Sequence, residues 1–249
     1  MLQKTEAVIN WIKEQFKDIP DGRAIIGISG GKDSTIAAAL CVEALGADRV
    51  VGVLMPQSIQ KDIADSYKVI NRLGIPYMVI DIGPVCNSLC SSIDVAYDYD
   101  KCCANNPMIK TNLPARIRMT TLYAVAALYP NSRVVNTCNY SEDFVGYSTK
   151  YGDAAGDFSP LGGLTVREVL EIGDDLELPE HLVHKPPSDG MCGKTDEDNL
   201  GFTYEQLDNY IEGKVYLVPD EAVQKIERLH RITRHKYELI PTYNRRGEF

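Results

Sequence analysis

Residues 29–34 read Ser-Gly-Gly-Lys-Asp-Ser and lie between the apolar run Ile25-Ile26-Gly27-Ile28 and the small-residue stretch Thr35-Ile36-Ala37-Ala38. Two adjacent glycines let the backbone turn sharply and approach a ligand. Amides at a helix start, with the hydroxyls of Ser29 and Ser34, can donate to anionic oxygens. This chemistry suits a nucleotide polyphosphate. It is not that of a Walker A loop, which needs Gly, four residues and then Gly-Lys-Ser/Thr, because neither Gly22 nor Gly27 opens such a run. Chemistry other than γ-phosphoryl transfer is therefore expected. The plain alternative is an ordinary βα turn in which Asp33 or Ser34 only caps a helix.

Asp33 sits inside this loop, and Glu142 follows a short apolar strand at Val134-Val135, so two carboxylates can meet at one edge of a sheet. Carboxylate oxygens suit Mg²⁺, which keeps several waters and bridges to substrate phosphates. Taken alone, Glu142 reads equally well as a solvated acid at a helix start. Anionic substrates also need cations, and outside the loop the candidates are Arg116, Arg118, Lys150, His235 and Lys236.

The elements that must position these groups follow from periodicity. Leu2, Val8, Ile9, Ile12 and Phe16 recur at helical spacing, and Pro20-Asp21-Gly22 ends that helix. Apolar β-rich runs follow at 24–28, 50–55, 77–82 and 134–135, with helical stretches near 34–45 and 60–73 between the first three. Strands alternating with helices predict a doubly wound α/β fold, a parallel sheet with helices on both faces. Ligands bind such sheets at the carboxyl ends of the strands, where both the loop and residues 137–142 fall. A long helix is predicted from Pro114, carrying Leu113, Ile117, Ala124 and Leu128 on one side, and further helices near 165–177, 203–212 and 219–234. Residues 151–163 and 185–201, rich in Gly, Pro, Asp and Ser, read as loops.

Composition narrows the setting. A chain of 249 residues can form one large domain or two small ones, and a single domain over 1–249 is the simpler expectation. Hydrophobic residues at 44% and charged residues at 24% match a soluble globular chain. No apolar run approaches the ~18 residues of a membrane span, and the polar, acid-bearing start lacks a signal core, so a cytoplasmic protein without membrane contact is expected. The net charge of −9 argues against a nucleic-acid partner. Seven cysteines without a Cys-x-x-Cys pair predict reduced thiols. Cys86, Cys90, Cys102 and Cys103 supply at most half of a recognisable metal spacing.

Several segments together raise a family resemblance. Residues 29–34 resemble the SGGxDS signature of the ATP pyrophosphatase superfamily, whose fold is adenine nucleotide alpha-hydrolase-like. Residues 112–119, Asn-Leu-Pro-Ala-Arg-Ile-Arg-Met, resemble a segment of the NAD synthetases in particular. Further matches run through 136–142, 146–153, 157–161, 185–188, Asp196-Glu197, Leu207-Asp208 and His235-Lys236, covering nearly the whole chain. The resemblance implies that ATP adenylates the nicotinate carboxylate of deamido-NAD, releasing pyrophosphate, and that ammonia then displaces AMP to leave NAD. It implies ATP contacts at Gly27, Ile28, Ser29, Gly30, Gly31, Lys32, Asp33, Ser34, Thr137 and Ser188, and Mg²⁺ at Asp33 and Glu142. It places deamido-NAD at Arg116, Lys150, Asp157, His235 and Lys236, and sets Asp153 near ammonia as the catalytic carboxylate. For Asp153 alone, capping of a turn is an equal reading. The resemblance also implies a homodimer with substrate at the interface. Free ammonia, or ammonia from a separate partner, is the expected nitrogen source, since the chain leaves little room for a glutaminase domain.

Two positions depart from the family pattern. Val166 stands where many members place an ATP-contacting Lys, and Arg167 lies on a different helical face. The stretch 189–195 is short and Gly-rich. Another ATP pyrophosphatase, such as a tRNA-thiolating or lysidine-forming enzyme or a GMP synthetase core, shares the loop. Acidity and the missing Cys-x-x-Cys weigh against the tRNA readings, and residues 116–119 with His235-Lys236 against the GMP one. A non-catalytic nucleotide-binding regulator would have no need of both Asp33 and Glu142.

Overall fold

The apolar run before the glycine loop forms an inner strand of a four-stranded parallel sheet of order β3-β2-β1-β4. This is a computed structural model, and it describes residues 1–58, 63–97, 102–184 and 195–243. In chain order the elements are α1 (Gln3–Gln15), β1 (Ala24–Gly27), α2 (Lys32–Leu45), β2 (Val50–Leu54), α3 (Ile63–Leu73), β3 (Tyr77–Val79), α4 (Gly83–Ala96), α5 (Cys102–Asn105) and α6 (Pro107–Ala126). There follow β4 (Arg133–Val134), α7 (Tyr140–Val145), α8 (Val166–Asp175), α9 (Glu180–Val183), α10 (Asp196–Leu200), α11 (Tyr204–Ile211) and α12 (Asp220–Thr233).

Register places Ala24 opposite Val50 on one side and Arg133 on the other. The chain therefore builds outward from β1 through β2 to β3, then returns to lay β4 along the free edge of β1. The strand order reverses at β1, and the loop leaving its carboxyl end occupies the position where such sheets open a crevice.

Side-chain alternation along β1 divides the core. Ala24 and Ile26 pack into one face with Ile12 of α1, Ile36 and Leu40 of α2, and Val169 and Ile172 of α8. Ile25 joins Val51 and Val53 on the opposite face, with Cys86 of α4 and Val125 of α6. Ile12, Ile25, Ile26, Ile36 and Leu40 are fully enclosed, each worth about 1.5–3 kcal/mol relative to exposure. A third cluster, built from Val145, Val166, Leu207, Ala222 and Ile226, fastens α11 and α12 around α7 and so holds the C-terminal helices over the strand ends.

The doubly wound arrangement agrees with the pattern of the sequence, and several boundaries do not. The long helix starts at Pro107, not Pro114: the Asn106 side chain accepts from the amides of Met108 (2.9 Å) and Ile109 (3.3 Å), and Pro114 is buried inside the helix. Its sheet-facing residues are Ile117, Leu122, Val125 and Ala126, while Leu128 lies beyond the helix and is 66% exposed. α4 gives little sequence signal because its Cys and Ser residues blur the apolar stripe. Part of the predicted loop 185–201 is helical, since Thr195 and Asp198 form a reciprocal capping box that starts α10. Residues 185–194 lie outside the described residues. Among the described residues no helix is long and apolar enough to cross a membrane.

Candidate active site

The loop after β1 is held open by its own side chains. The hydroxyls of Ser29 and Ser34 lie 3.0 Å apart, Gly31 N donates to Ser29 Oγ at 3.2 Å, and Ser34 Oγ donates to the Gly31 carbonyl at 3.1 Å. Gly30 has a φ of +80°, and a Cβ there would stand 2.8 Å from the Ser66 amide nitrogen, so only glycine fits. Gly31 caps α2 without a side chain. The first-turn amides and the positive end of the helix therefore face outward beyond the strand. The two serines thus shape the cradle before they can serve as donors.

Asp33 and Glu142 are brought together by a residue that sequence reasoning passed over. Asn139, fully enclosed, donates from Nδ2 to Asp33 Oδ1 at 3.0 Å. Its Oδ1 accepts from Glu142 N at 3.0 Å, and its own N–H donates to Glu142 Oε2 at 3.3 Å, a capping box that starts α7. The available signal was the Asn-x-x-Glu spacing itself. Asp33 Oδ2 meets Lys32 Nζ at 2.7 Å.

Charge around this group is unbalanced. Burial pulls the Lys32 ammonium down, but the carboxylates of Asp33, Glu142 and Asp196 outweigh it and leave the group above its ordinary value. Burial and the Asp33 charge push the Glu142 carboxyl well up. The Tyr204 ring lies 5.5 Å from Lys32 Nζ, and its hydroxyl is enclosed without a hydrogen-bond partner among the described residues. Three carboxylates facing one ammonium favour an added cation. Their hard oxygen donors fit Mg²⁺, with Asp33 and Glu142 as the residues that would hold it.

The cationic candidates gather nearby. Arg116 Nε donates to the Lys150 carbonyl at 3.3 Å, Lys150 Nζ donates to the His235 carbonyl, and Lys236 Nζ donates to the carbonyls of Gly146 and Ser148 at 2.6 Å each. Burial lowers the Lys236 ammonium. Asp153 belongs to the same segment: its Oδ1 accepts from Thr149 N at 2.8 Å, and its carbonyl accepts from Asn136 Nδ2 at 2.8 Å. Asp143, also passed over in the sequence, faces Asp153, and burial followed by that charge pushes its carboxyl up to about 7. Arg118, half-buried and lowered by that burial, reaches the Met55 carbonyl at 3.3 Å. The oxygens of Asp157 accept from Val134 N at 2.7 Å and Tyr123 Oη at 3.1 Å, tying its loop to β4. Thr137 lies half-buried between Asn136 and Cys138. Ser188 lies outside the described residues.

A cavity of about 330 Å³ opens beside Lys32, lined by Val166, Arg167, Leu170, His184 and Tyr204 among others. Arg167 is committed elsewhere, to Glu212 at 2.7 Å and Asn209 at 3.0 Å, so it does not take the place of a lysine at 166.

Fold and site define a doubly wound α/β protein with a glycine-loop anion cradle at the strand reversal and facing carboxylates beside it. Residues 4–243 match the NAD synthase family, and the chain belongs to that family. It is 38% identical to an NH(3)-dependent NAD(+) synthetase of Alkaliphilus metalliredigens, over 97% of this chain and 98% of that one. Among solved structures, NMN synthetase from Francisella tularensis superposes with a TM-score of 0.87 at 33% identity, covering 97% of this chain and 98% of that one. The NH3-dependent NAD synthetase from Campylobacter jejuni superposes with a TM-score of 0.78 at 26% identity, covering 97% and 98%.

Proposed function

We propose that this enzyme is an ammonia-dependent amide ligase that converts deamido-NAD to NAD, consuming ATP and releasing AMP and pyrophosphate. The observation that carries the reading is the Asn139 bridge, which fixes Asp33 of the glycine loop against Glu142 at the reversal of strand order. Family membership and the curated relatives support it.

The nicotinate carboxylate attacks the α-phosphorus of ATP, forming an acyl adenylate as the bond to the pyrophosphate oxygen breaks. Two anions meet in this step, so positive charge must lie where the leaving oxygens develop theirs. Lys32 and the outward amides of α2 bind those oxygens. Mg²⁺, when held by Asp33 and Glu142, supplies Lewis-acid neutralisation of the phosphates. Arg116, Lys150, Asp157, His235 and Lys236 orient the dinucleotide. Ammonia then adds to the acyl carbon and AMP leaves. Asp153 accepts the proton that converts ammonium to the nucleophile, and the adjoining Asp143, titrating near neutrality, tunes its charge. The molecule acts as a homodimer, a reading that rests on the resemblance and on the exposed apolar side chains Val85 and Leu89 of α4 and Tyr123 of α6.

The purified protein is supplied with ATP, Mg²⁺, deamido-NAD and either ammonium or glutamine. NAD should form with ammonium, matched by equal AMP and pyrophosphate. Equal rates with glutamine would overturn the nitrogen source, and ADP with orthophosphate would overturn the adenylation. A second reading rests on the high similarity to NMN synthetase: the same carboxylate amidated on nicotinate mononucleotide. Direct competition of the two substrates decides between them through the ratio of their kcat/KM values.

A further inference from the structure

On the far side of the sheet from α1 and α2, the end of α4 and the start of α5 assemble a group that the proposed reaction does not use. Cys90 and Asp94 are four residues apart on α4 and share one helix face. Asp94 Oδ1 accepts from Cys102 Sγ at 2.7 Å and from Cys103 N at 2.9 Å. Burial first, and then the neighbouring Cys90 thiol, push the Cys103 thiol up. The ligand atoms of Asp94, Cys102 and Cys103 all lie within 4.8 Å of one another. Cys103 is 2% exposed, while Cys90 and Cys102 are half-buried and open to solvent on one side.

We propose that Cys90, Asp94, Cys102 and Cys103 form a site for a thiophilic divalent cation of the zinc type, held by three sulfurs and one oxygen where α4, α5 and α6 meet. Three thiolates and a carboxylate are a complete tetrahedral set for Zn²⁺, with bonds of about 2.3 Å to sulfur and 2.0 Å to oxygen. Neighbouring donors in such a set stand roughly 3.3–3.8 Å apart by the geometry of those bonds. Asp94, Cys102 and Cys103 therefore need only small rotations to close on an ion, and Cys90, one turn before Asp94 on α4, swings in as the fourth donor. Softness separates this group from the oxygen donors of Asp33 and Glu142, so the two sites should sort metals, zinc to one and magnesium to the other.

Binding replaces thiol protons. Each Cys Sγ loses one proton to solvent as its bond to the metal forms, and the Asp94 carboxylate exchanges its Cys102 hydrogen bond for the metal. In the metal-free protein that hydrogen bond holds the Cys102 thiol up at about 12, so the ion must displace a firmly held proton. The function is structural: α5 packs on both α4 and α6, and α6 carries Arg116 toward the strand ends.

The test uses the full chain, stripped with chelator under a non-thiol reductant and titrated with Co²⁺. One equivalent should bring a thiolate-to-cobalt charge-transfer band and the visible bands of a tetrahedral ion. One equivalent of Zn²⁺ should abolish both, and excess Mg²⁺ should abolish neither. Cys102→Ser with Cys103→Ser should remove the bands, whereas Cys138→Ala, altering the thiol near Asp153, should keep them. If the double variant fails to fold by circular dichroism, Cys90→Ser and Asp94→Asn serve instead, each expected to weaken Zn²⁺ at least 10-fold in competition with a chromophoric chelator. The absence of a thiolate band at stoichiometric Co²⁺, or a band that survives loss of both Cys102 and Cys103 thiols, would overturn the proposal. Unchanged Zn²⁺ affinity in both Cys90→Ser and Asp94→Asn would do the same. The readout is spectroscopic, so failure of the amidation reading leaves it untouched.

Discussion

Replacing Asn139 by alanine removes two bonds at once, and their separate worth can be worked from the geometry. The first is the 3.0 Å bond from Nδ2 to the Asp33 carboxylate, charge-assisted and inside a fully enclosed residue. Hydrogen bonds to charged groups contribute about 1.5–3 kcal/mol. The second is the cap on Glu142 N, worth about 1 kcal/mol in typical helices. Asp33 keeps its partner Lys32, so the lower part of the first range applies, and Asn139→Ala should destabilise by about 3 kcal/mol. Asn139→Ser retains an oxygen able to cap α7 but has no donor that reaches Asp33, so it should recover about 1 kcal/mol of that loss. Asn139→Asp keeps the cap and sets a further carboxylate against Asp33, which should make it the least stable of the three at high pH. Urea unfolding gives the stabilities, and amidation measured against Mg²⁺ concentration gives the half-saturation point. Both Asn139→Ala and Asn139→Ser should need several-fold more Mg²⁺, because Asp33 is no longer held toward Glu142. Wild-type stability together with an unshifted half-saturation in Asn139→Ser would refute the bridge.

Other expectations follow from the same contacts. Gly30→Ala forces an alanine to a φ of +80° and a Cβ 2.8 Å from the Ser66 nitrogen; it should lose at least ~1–2 kcal/mol and most ATP affinity, checked by unfolding and by nucleotide titration. Asp143 is raised to about 7 from 3.8, so the native state binds more protons between those values. Its stability contribution is therefore fully present below about pH 3.8 and is lost as pH rises through 7. Asp143→Asn should consequently be more stable than wild type at pH 8, by about 2–4 kcal/mol from the size of the shift, and gain nothing near pH 4; parallel urea curves at both pH values would count against it. Asp153→Asn should slow amide formation at saturating ammonium while leaving pyrophosphate release in the first half-reaction, whereas Asp33→Asn should abolish both; a rapid-quench assay of the two halves separates them, and unimpaired amide formation in Asp153→Asn removes that residue from the mechanism.

The glycine loop and the parallel sheet were legible because each rests on local chemistry. Gly30 and Gly31 between an apolar run and a small-residue helix leave few conformations open, and β1 to β3 alternate with helices in strict order. What escaped was set by tertiary context. Pro114 reads as a helix start, yet Asn106 caps the helix one residue before Pro107 and burial carries Pro114 inside it. Asp157 reads as a substrate ligand by resemblance, and its bonds to Val134 and Tyr123 are a partnership across sequence that no spacing reveals. Asn139 carried a local signal, the capping-box spacing, and its bond to Asp33 spans 106 residues. The cysteines defeated spacing rules for the same reason: Asp94 meets Cys102 and Cys103 only once α4 and α5 are folded.

The central claim is that the nicotinate carboxylate itself attacks the α-phosphorus of ATP. It is tested most directly with deamido-NAD carrying oxygen-18 in that carboxylate, turned over with ATP, Mg²⁺ and ammonium. One labelled oxygen should appear in the phosphate of AMP for each NAD formed, and none in pyrophosphate. Label in orthophosphate, or AMP free of label while NAD accumulates, would contradict it.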